Sequence, residues 1–369
     1  MTDMRIVFSG GGTGGHIYPA LATIKQLKAT EPATDVLYIG GERGLEKQIV
    51  PAANIPFKAL AVQGFKRSLS LDNVKTVYLF LTATHQAKRL LKAFKPDVVV
   101  GTGGYVSGPV LYAAQLLHIP TVIHEQNSVV GVTNKFLARH ADKVGVAFAA
   151  AKSAFKPAQA VLVGNPRASE VAHSQAEFDW ANYHFSKDIP TVLIFGGSQG
   201  ALKLNQAMVE AMPQFNQVTY QVLFATGTKR FADVQAALTK QGLNLAKTIQ
   251  VVPYIEDMPA LMPAVDLVVG RAGATSIAEQ TALGKPMVLI PSPYVTNDHQ
   301  TKNARSLVNA GAATMITEDE LTGNSLFKAI DEIMQNVPKR QLMAEEAKKL
   351  GQPDAVNQFI DLIKLVANK

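Results

Sequence analysis

The chain predicts an α/β fold of two successive doubly wound domains, each a parallel sheet with helices on both faces. Three observations predict it. Short apolar, β-branched runs alternate with helical stretches along the 369 residues. The alternation restarts once, at Thr191–Phe195. Each half also opens with a strand that runs into a glycine-rich turn, at residues 10–15 and 196–200. A length of 369 residues exceeds one comfortable hydrophobic core and suits two.

In the first half, strands are expected at residues 4–9, 36–39, 98–100 and 121–123, with a helix over 19–29. In the second half they are expected at 191–195, 220–225, 249–252, 267–269 and 287–290, with a helix from Lys203. The join falls near Val163-Gly164-Asn165-Pro166, with a looser segment up to Pro190, which gives domains 1–164 and 165–352. Residues 353–369 read as an amphipathic helix with Val356, Phe359, Ile360, Ile363 and Val366 on one side, expected to pack back on the first domain.

Composition narrows the class. There is no cysteine, which excludes disulfides and thiolate metal sites. The first residues lack the pattern of a signal peptide, and no apolar run reaches the length of a membrane span, so a cytoplasmic location is expected. The net charge of +7 is uneven: residues 1–163 carry 18 Lys/Arg against 9 Asp/Glu, whereas residues 164–369 carry 18 against 20. A basic half beside a near-neutral half fits an anionic surface as well as simple solubility. No basic patch is interleaved with aromatic residues, so nucleic acid is not an expected partner.

In open α/β sheets, ligands bind beyond the carboxyl ends of the strands. Three glycine-rich loops lie there, at residues 10–15, 101–108 and 196–200. Glycines let a backbone approach a ligand closely, and the following helix N-terminus offers N–H groups to a phosphate. Residues 10–15 also satisfy G-x-G-x-x-G, so a nicotinamide dehydrogenase is a rival reading; Gly40-Gly41 at the end of the second strand, where an acidic residue belongs, counts against it. His16 follows the first loop, and its position makes it the general-base candidate. His124-Glu125-Gln126-Asn127 forms a polar rim after a strand, with Glu125 the weaker candidate for the base. Residues 270–279 open a helix with small residues, and Glu279 follows about a turn later, where a carboxylate suits a ribose diol. No His, Asp and Glu grouping has metal-ligand spacing, so neither a bound metal nor a cofactor is expected.

The ordered motifs G-G-T-G-G-H, G-G-Y-V-S-G-P, H-E-Q-N, G-N-P-x-R, G-G-S-Q-G-A, R-A-G-A-T-S-I-A-E and D-H-Q, spanning about residues 5–305, resemble the MurG family of bacterial cell-wall glycosyltransferases. The resemblance implies a GT-B fold, two Rossmann-like domains with a cleft between them. It implies inverting transfer of N-acetylglucosamine from UDP-N-acetylglucosamine to the muramyl 4-hydroxyl of lipid I, giving lipid II, by an enzyme peripheral on the inner leaflet. It places Ser198 on the pyrophosphate and Ile255 beside the uracil, with the Ile255 backbone bonding the base. It places Ala274, Thr275, Ser276 and Glu279 along phosphate and ribose, and Gln300 on the sugar ring. Thr13, Gly14, Gly15, Asn127 and Arg167 match further donor-contacting positions, and Gly103, Gly104, Tyr105 and Glu125 are acceptor-side candidates. The enzymes that make lipid I and export lipid II are expected neighbours.

Val74, Val77, Tyr78 and Leu81 recur at helical spacing, with Lys66, Arg67, Lys75, Lys88, Arg89, Lys92 and Lys95 nearby. Such a stripe either faces a core or enters an anionic leaflet; the resemblance supports the leaflet. Rival readings with this fold are a diacylglycerol glycosyltransferase and a UDP-sugar epimerase, and a non-enzymatic peripheral membrane module is a further alternative.

Overall fold

The computed structural model describes residues 4–64, 72–197 and 200–368. It divides into two compact units: the chain up to Ser169 joined by the segment from Asp354, and Glu170–Pro353.

The first unit contains β1 (Arg5–Gly10), α1 (Gly14–Thr30), β2 (Asp35–Gly41), α2 (Glu46–Ala52), β3 (Phe57–Leu60), α3 (Asp72–Phe94), β4 (Val98–Gly103), α4 (Ser107–Leu116), β5 (Thr121–Glu125), α5 (Val132–Leu137), β6 (Lys143–Val146), β7 (Ala160–Leu162) and the start of α6 (Arg167–Ala172). Its seven-stranded sheet has the order β3-β2-β1-β4-β5-β6-β7, and the pairings of β1 with β2 and with β4 are both parallel. The order reverses between β1 and β4, so the loops after these two strands diverge and leave a crevice at the switch point. That topology brings residues 10–15 and 101–108 together although some 90 residues separate them.

The second unit repeats the plan with β8 (Thr191–Phe195), α7 (Leu202–Phe215), β9 (Gln221–Ala225), α8 (Phe231–Lys240), β10 (Ile249–Val252), α9 (Met258–Ala264), β11 (Leu267–Gly270), α10 (Ala274–Ala282), β12 (Met287–Leu289), α11 (His299–Asn309), β13 (Ala313–Met315), α12 (Gly323–Met334) and α13 (Val337–Leu350). The sheet order is β10-β9-β8-β11-β12-β13, with its switch point between β8 and β11.

Both sheets are buried on both faces. Along β1, Ile6 and Phe8 enter one core and Val7 the other, the period of two that puts alternate side chains on opposite faces. The terminal helix α14 (Ala355–Ala367) belongs to the first unit and buries Val356, Phe359, Ile360, Ile363 and Val366 beside Ile6, Phe8 and Ile24. Each such side chain stabilises the unit by about 1.5–3 kcal/mol. Ser169 Oγ accepts from Val356 N at 3.0 Å and so caps α14 from outside it.

Two details differ from the sequence reading. The boundary between units falls inside α6, after Ser169, rather than at residue 164. Asn165 Oδ1 accepts from Arg167 N and starts that helix, and Ala168 and Ser169 are buried before the chain departs. Helix α1 begins at Gly14 rather than 19, with Pro19 inside it as its sixth residue. Helix propensity disfavours a glycine start and an internal proline, yet this extra turn is the one that carries His16.

Candidate active site

In the first unit the site is built on the peptide between Gly11 and Gly12. His16 lies in the first turn of α1, half-buried. Its Nδ1 lies 3.1 Å from Gly11 O and 3.3 Å from Thr13 Oγ1. A carbonyl oxygen only accepts, so Nδ1 carries the proton and Nε2 the lone pair. Thr102 Oγ1 donates to His16 O at 2.6 Å and ties the end of β4 to the same turn.

Gly103 and Gly104 have φ of +101° and +79°, a conformation that glycine adopts without steric cost. A Cβ on Gly103 would lie 2.9 Å from His16 Cδ2, and one on Gly104 would overlap Gly11 O. Both glycines therefore make room for the imidazole and its hydrogen-bond partner. Tyr105 packs its ring over Gly12 and beside Gly64, and is 36% exposed. Burial first, and then the Glu46 charge, push its phenol pKa up.

Glu125 is 1% exposed and fully engaged. Oε1 accepts from Asn127 N at 3.0 Å; Oε2 accepts from Gly131 N at 3.0 Å and Asn134 Nδ2 at 2.9 Å. Its carboxylate shapes the loop after β5, and Asn127 is held at the rim by that bond. Arg167 rests its guanidinium 5.5 Å from the centre of the Tyr18 ring.

His124 is wholly buried: its Nε2 donates to Gly164 O at 2.8 Å, and its Nδ1 accepts from Gln126 Nε2 at 3.0 Å. Its ring lies 4.8 Å from that of Phe359. Burial pushes its pKa down to about 4, against a smaller opposing effect of the Gly164 bond. The unfolded chain therefore takes up the proton first. The stabilisation is complete above the ordinary histidine value of about 6.5 and is lost as pH falls through the folded value. The expected loss is about 3 kcal/mol between pH about 6.5 and about 4. Thermal melts across that window check it against His124→Gln, which keeps a donor for Gly164 O and does not protonate. The variant's stability should depend less on pH; parallel pH dependences would exclude His124 as the source.

In the second unit the switch point collects the other motifs. Ser198 lies outside the described residues. Gly273 precedes α10, and a Cβ on it, or on Gly197, would meet nothing within 4 Å. Protein packing leaves both positions open, which suits backbone approach to a ligand. Helix α10 has no acidic residue in its first turn. The N–H groups of Ala274, Thr275 and Ser276 and the positive dipole end suit a diphosphate. Glu279, on the next turn, is only 9% exposed and so is not an ordinary surface residue. Gln300 Oε1 accepts from Ser292 N at 2.9 Å, which fixes the amide on α11.

Ile255 is expected to meet a base through its backbone. Its side chain is 2% exposed and packs with Leu261, Val265 and Val268, so only its backbone is offered at the loop where Tyr254 is 55% exposed. Two features of this unit escaped the sequence reading. Arg271 donates to Ile290 O at 3.1 Å and Pro291 O at 3.3 Å and pairs with Glu318. It braces the segment that Gln300 also holds. Glu318 lies 47 residues away in sequence, and no local signal marks it. Among the described residues, no group of three His, Cys, Asp or Glu comes together to hold a metal ion.

Two parallel-sheet Rossmann-like units with glycine-lined strand ends define the GT-B class of glycosyltransferases. Residues 6–146 match the glycosyltransferase family 28 N-terminal domain, and residues 191–359 match the glycosyltransferase family 28 C-terminal domain. A UDP-N-acetylglucosamine–N-acetylmuramyl-(pentapeptide) pyrophosphoryl-undecaprenol N-acetylglucosamine transferase of Limosilactobacillus reuteri is 56% identical over 361 residues, 98% of each chain. An enzyme of the same name from Limosilactobacillus fermentum is 58% identical over 362 residues, again 98% of each chain. The crystal structure of Acinetobacter baumannii MurG is similar with a TM-score of 0.79 at 33% identity, over 98% of this chain and 99% of that one. The chain belongs to glycosyltransferase family 28 and, within it, to the MurG family.

Proposed function

We propose that this enzyme transfers N-acetylglucosamine from UDP-N-acetylglucosamine to the 4-hydroxyl of the muramyl sugar in undecaprenyl-pyrophosphoryl-MurNAc-pentapeptide, lipid I. The product is lipid II, the lipid-linked precursor of peptidoglycan. The observation that carries this reading is the 56–58% identity, over 98% of each chain, to transferases of that name. The acceptor hydroxyl attacks the anomeric carbon on the face opposite the diphosphate, with inversion. The new C–O bond forms as the bond to the diphosphate breaks, the hydroxyl proton passes to His16 Nε2, and UDP leaves. N–H groups at the start of α10 stabilise the charge that develops on the diphosphate. Glu279 is assigned to the ribose hydroxyls, Ala274, Thr275 and Ser276 to phosphate and ribose, the Ile255 backbone to the uracil, and Gln300 to the sugar. Gly103, Gly104 and Tyr105 are assigned to the acceptor side.

UDP release from UDP-N-acetylglucosamine, with and without a short-chain lipid I analogue, tests the assignment. Acceptor-dependent release with a β-linked disaccharide product is expected. Release without acceptor would point instead to a hydrolysing epimerase.

The same reading places the enzyme peripherally on the cytoplasmic face of the membrane, on anionic lipid and near other cell-wall synthesis proteins. No helix among the described residues is long and apolar enough to cross a membrane. In α3 the buried face is Thr76, Ala83, Thr84, Ala87 and Leu91, whereas Val74, Val77, Tyr78 and Leu81 are 68%, 48%, 65% and 59% exposed. The stripe therefore does not serve the core. Phe136 and Val132 of α5 are exposed as well, and tilted ring contacts link Phe80, Tyr112 and Phe136. Lys75, Arg89, Lys92 and Lys95 stand exposed on or just beyond the helix; Lys66 and Arg67 lie outside the described residues. Each cation near an anionic surface adds about 1 kcal/mol. Anionic liposomes should retain the protein at low salt and release Val77→Glu/Leu81→Glu; equal retention of the variant would exclude the stripe.

A further inference from the structure

The glycine loop that presents His16 is tied from behind to one carboxylate. Glu46 opens α2, and its side chain is wholly buried. Oε1 accepts from Gly41 N at 3.0 Å and Oε2 from Gly12 N at 3.0 Å. Two oxygens that each accept from a backbone N–H are the pattern of an ionised carboxylate. Among the described residues no cation pairs with it. The fit is close, because a Cβ on Gly11 or on Gly44 would overlap the carboxylate. A loop fastener alone does not require a buried charge, since a hydroxyl or amide oxygen also accepts from N–H at far lower desolvation cost.

The second end of the same peptide supplies a reason for the charge. The Gly12 N–H and the Gly11 C=O belong to one planar group, and in the trans form they point to opposite sides. The N–H faces Glu46, and the C=O accepts from His16 Nδ1 at 3.1 Å. A carboxylate at the N–H end draws electron density toward the oxygen and makes it a stronger acceptor. Such chains strengthen each bond by about 10–30%. A carboxylate placed directly against a histidine Nδ1–H fixes the tautomer and stabilises the imidazolium. Here one peptide group stands between the two.

We propose that Glu46 is a positioning residue for the transfer reaction: through the Gly11–Gly12 peptide, it holds His16 as the Nδ1–H tautomer and stabilises the imidazolium formed when Nε2 takes the acceptor proton. The inference rests on the reading of His16 as the base. The other ionisable groups around the loop include Tyr38, whose buried hydroxyl donates to Gly10 O at 2.9 Å and feels the Glu46 charge; Tyr105, packed on Gly12; Tyr18, against Gly14, with Arg167 over its ring; and His124, joined through Gln126 to the carbonyl of Thr102. Glu125 faces its own loop. Glu46 bonds the N–H end of the Gly11–Gly12 peptide directly, so its charge stands in line with the imidazole.

Glu46→Gln keeps the volume but turns an NH2 group toward Gly12 N–H or Gly41 N–H, and it removes the charge. The expected result is a kcat lower by about tenfold or more, with the KM for UDP-N-acetylglucosamine changed little. The acidic limb of the kcat–pH profile should move to lower pH by about half a unit to one unit, because a less stabilised imidazolium loses its proton sooner. Glu46→Asp, which keeps the charge, should recover part of both.

Titration of the ¹⁵N-labelled imidazoles in the full chain reads the relay without using activity. His16 is identified by the signals that His16→Gln lacks. In the wild type its Nδ1 should carry the proton, and in Glu46→Gln it should titrate lower with mixed tautomers. An unchanged titration and tautomer in a folded Glu46→Gln would overturn the relay and leave the His16 reading intact. Near-normal turnover in His16→Gln would instead sink the reading of the base, whatever the titration shows. If Glu46→Gln does not fold, the wild-type chain still decides. The Gly12 amide proton should shift with the His16 midpoint, and indifference to it would overturn the proposal.

Discussion

His16→Ala lowers kcat by about 10²–10⁴-fold, the range over which a positioned proton acceptor contributes, and leaves the fold and UDP binding nearly unchanged. The geometry argues for a selective loss. Nδ1 is committed to Gly11 O, which makes Nε2 the basic nitrogen. The side chain is half-buried and belongs to none of the apolar clusters, so its removal creates no core cavity. Glu125 does not take over, because both its oxygens are bound by the loop of Asn127, Gly131 and Asn134. Steady-state rates at saturating donor, with a melting curve as control, measure the effect. Retention of more than about a tenth of wild-type kcat would mean that the proton goes elsewhere.

Arg271→Met destabilises the second unit by about 3–5 kcal/mol, the cost of leaving a buried charge without its partner. Glu318 has a side chain only 5% exposed, and Arg271 is its ion-pair partner. The variant also strips the donors from Ile290 O and Pro291 O, at the end of the strand that leads to Ser292 and Gln300. Its melting temperature should fall by about 10 °C, and donor affinity should fall with it. Replacing both partners, as Arg271→Met/Glu318→Leu, should recover much of the stability, because the unpaired charge is gone. A double variant as unstable as the single one would show that the carbonyl contacts, and not the ion pair, hold the segment.

Much of the site was legible because glycine loops at strand ends carry their signal locally. His16, Gly103 and Gly104 were marked by sequence, and the structure brings them around one peptide. The reading of α3 left two outcomes open, core or surface, because periodicity identifies a face without naming what it meets. The exposed set is Val74, Val77, Tyr78 and Leu81, while Thr76, Ala83, Thr84, Ala87 and Leu91 fill the buried face. Glu46 went unmarked because it sits in a charged turn with Glu42, Arg43 and Lys47 that reads as solvated surface.

The sequence by itself determined two doubly wound parallel units, the amphipathic terminal helix and the glycine loops, because strand alternation, helical spacing and glycine placement are local properties. It also carried the family, through the order of its motifs. Only the tertiary structure decided which carboxylates are buried and what they hold: Glu46 behind Gly12, Glu125 inside its loop, and Glu318 against Arg271. Glu46 and Glu318 depend on partners 34 and 47 residues away in sequence, whereas Glu125 is held within its own loop at the end of β5. The cost of burying a charge is met only where such contacts supply its hydrogen bonds, and no local pattern records where that happens.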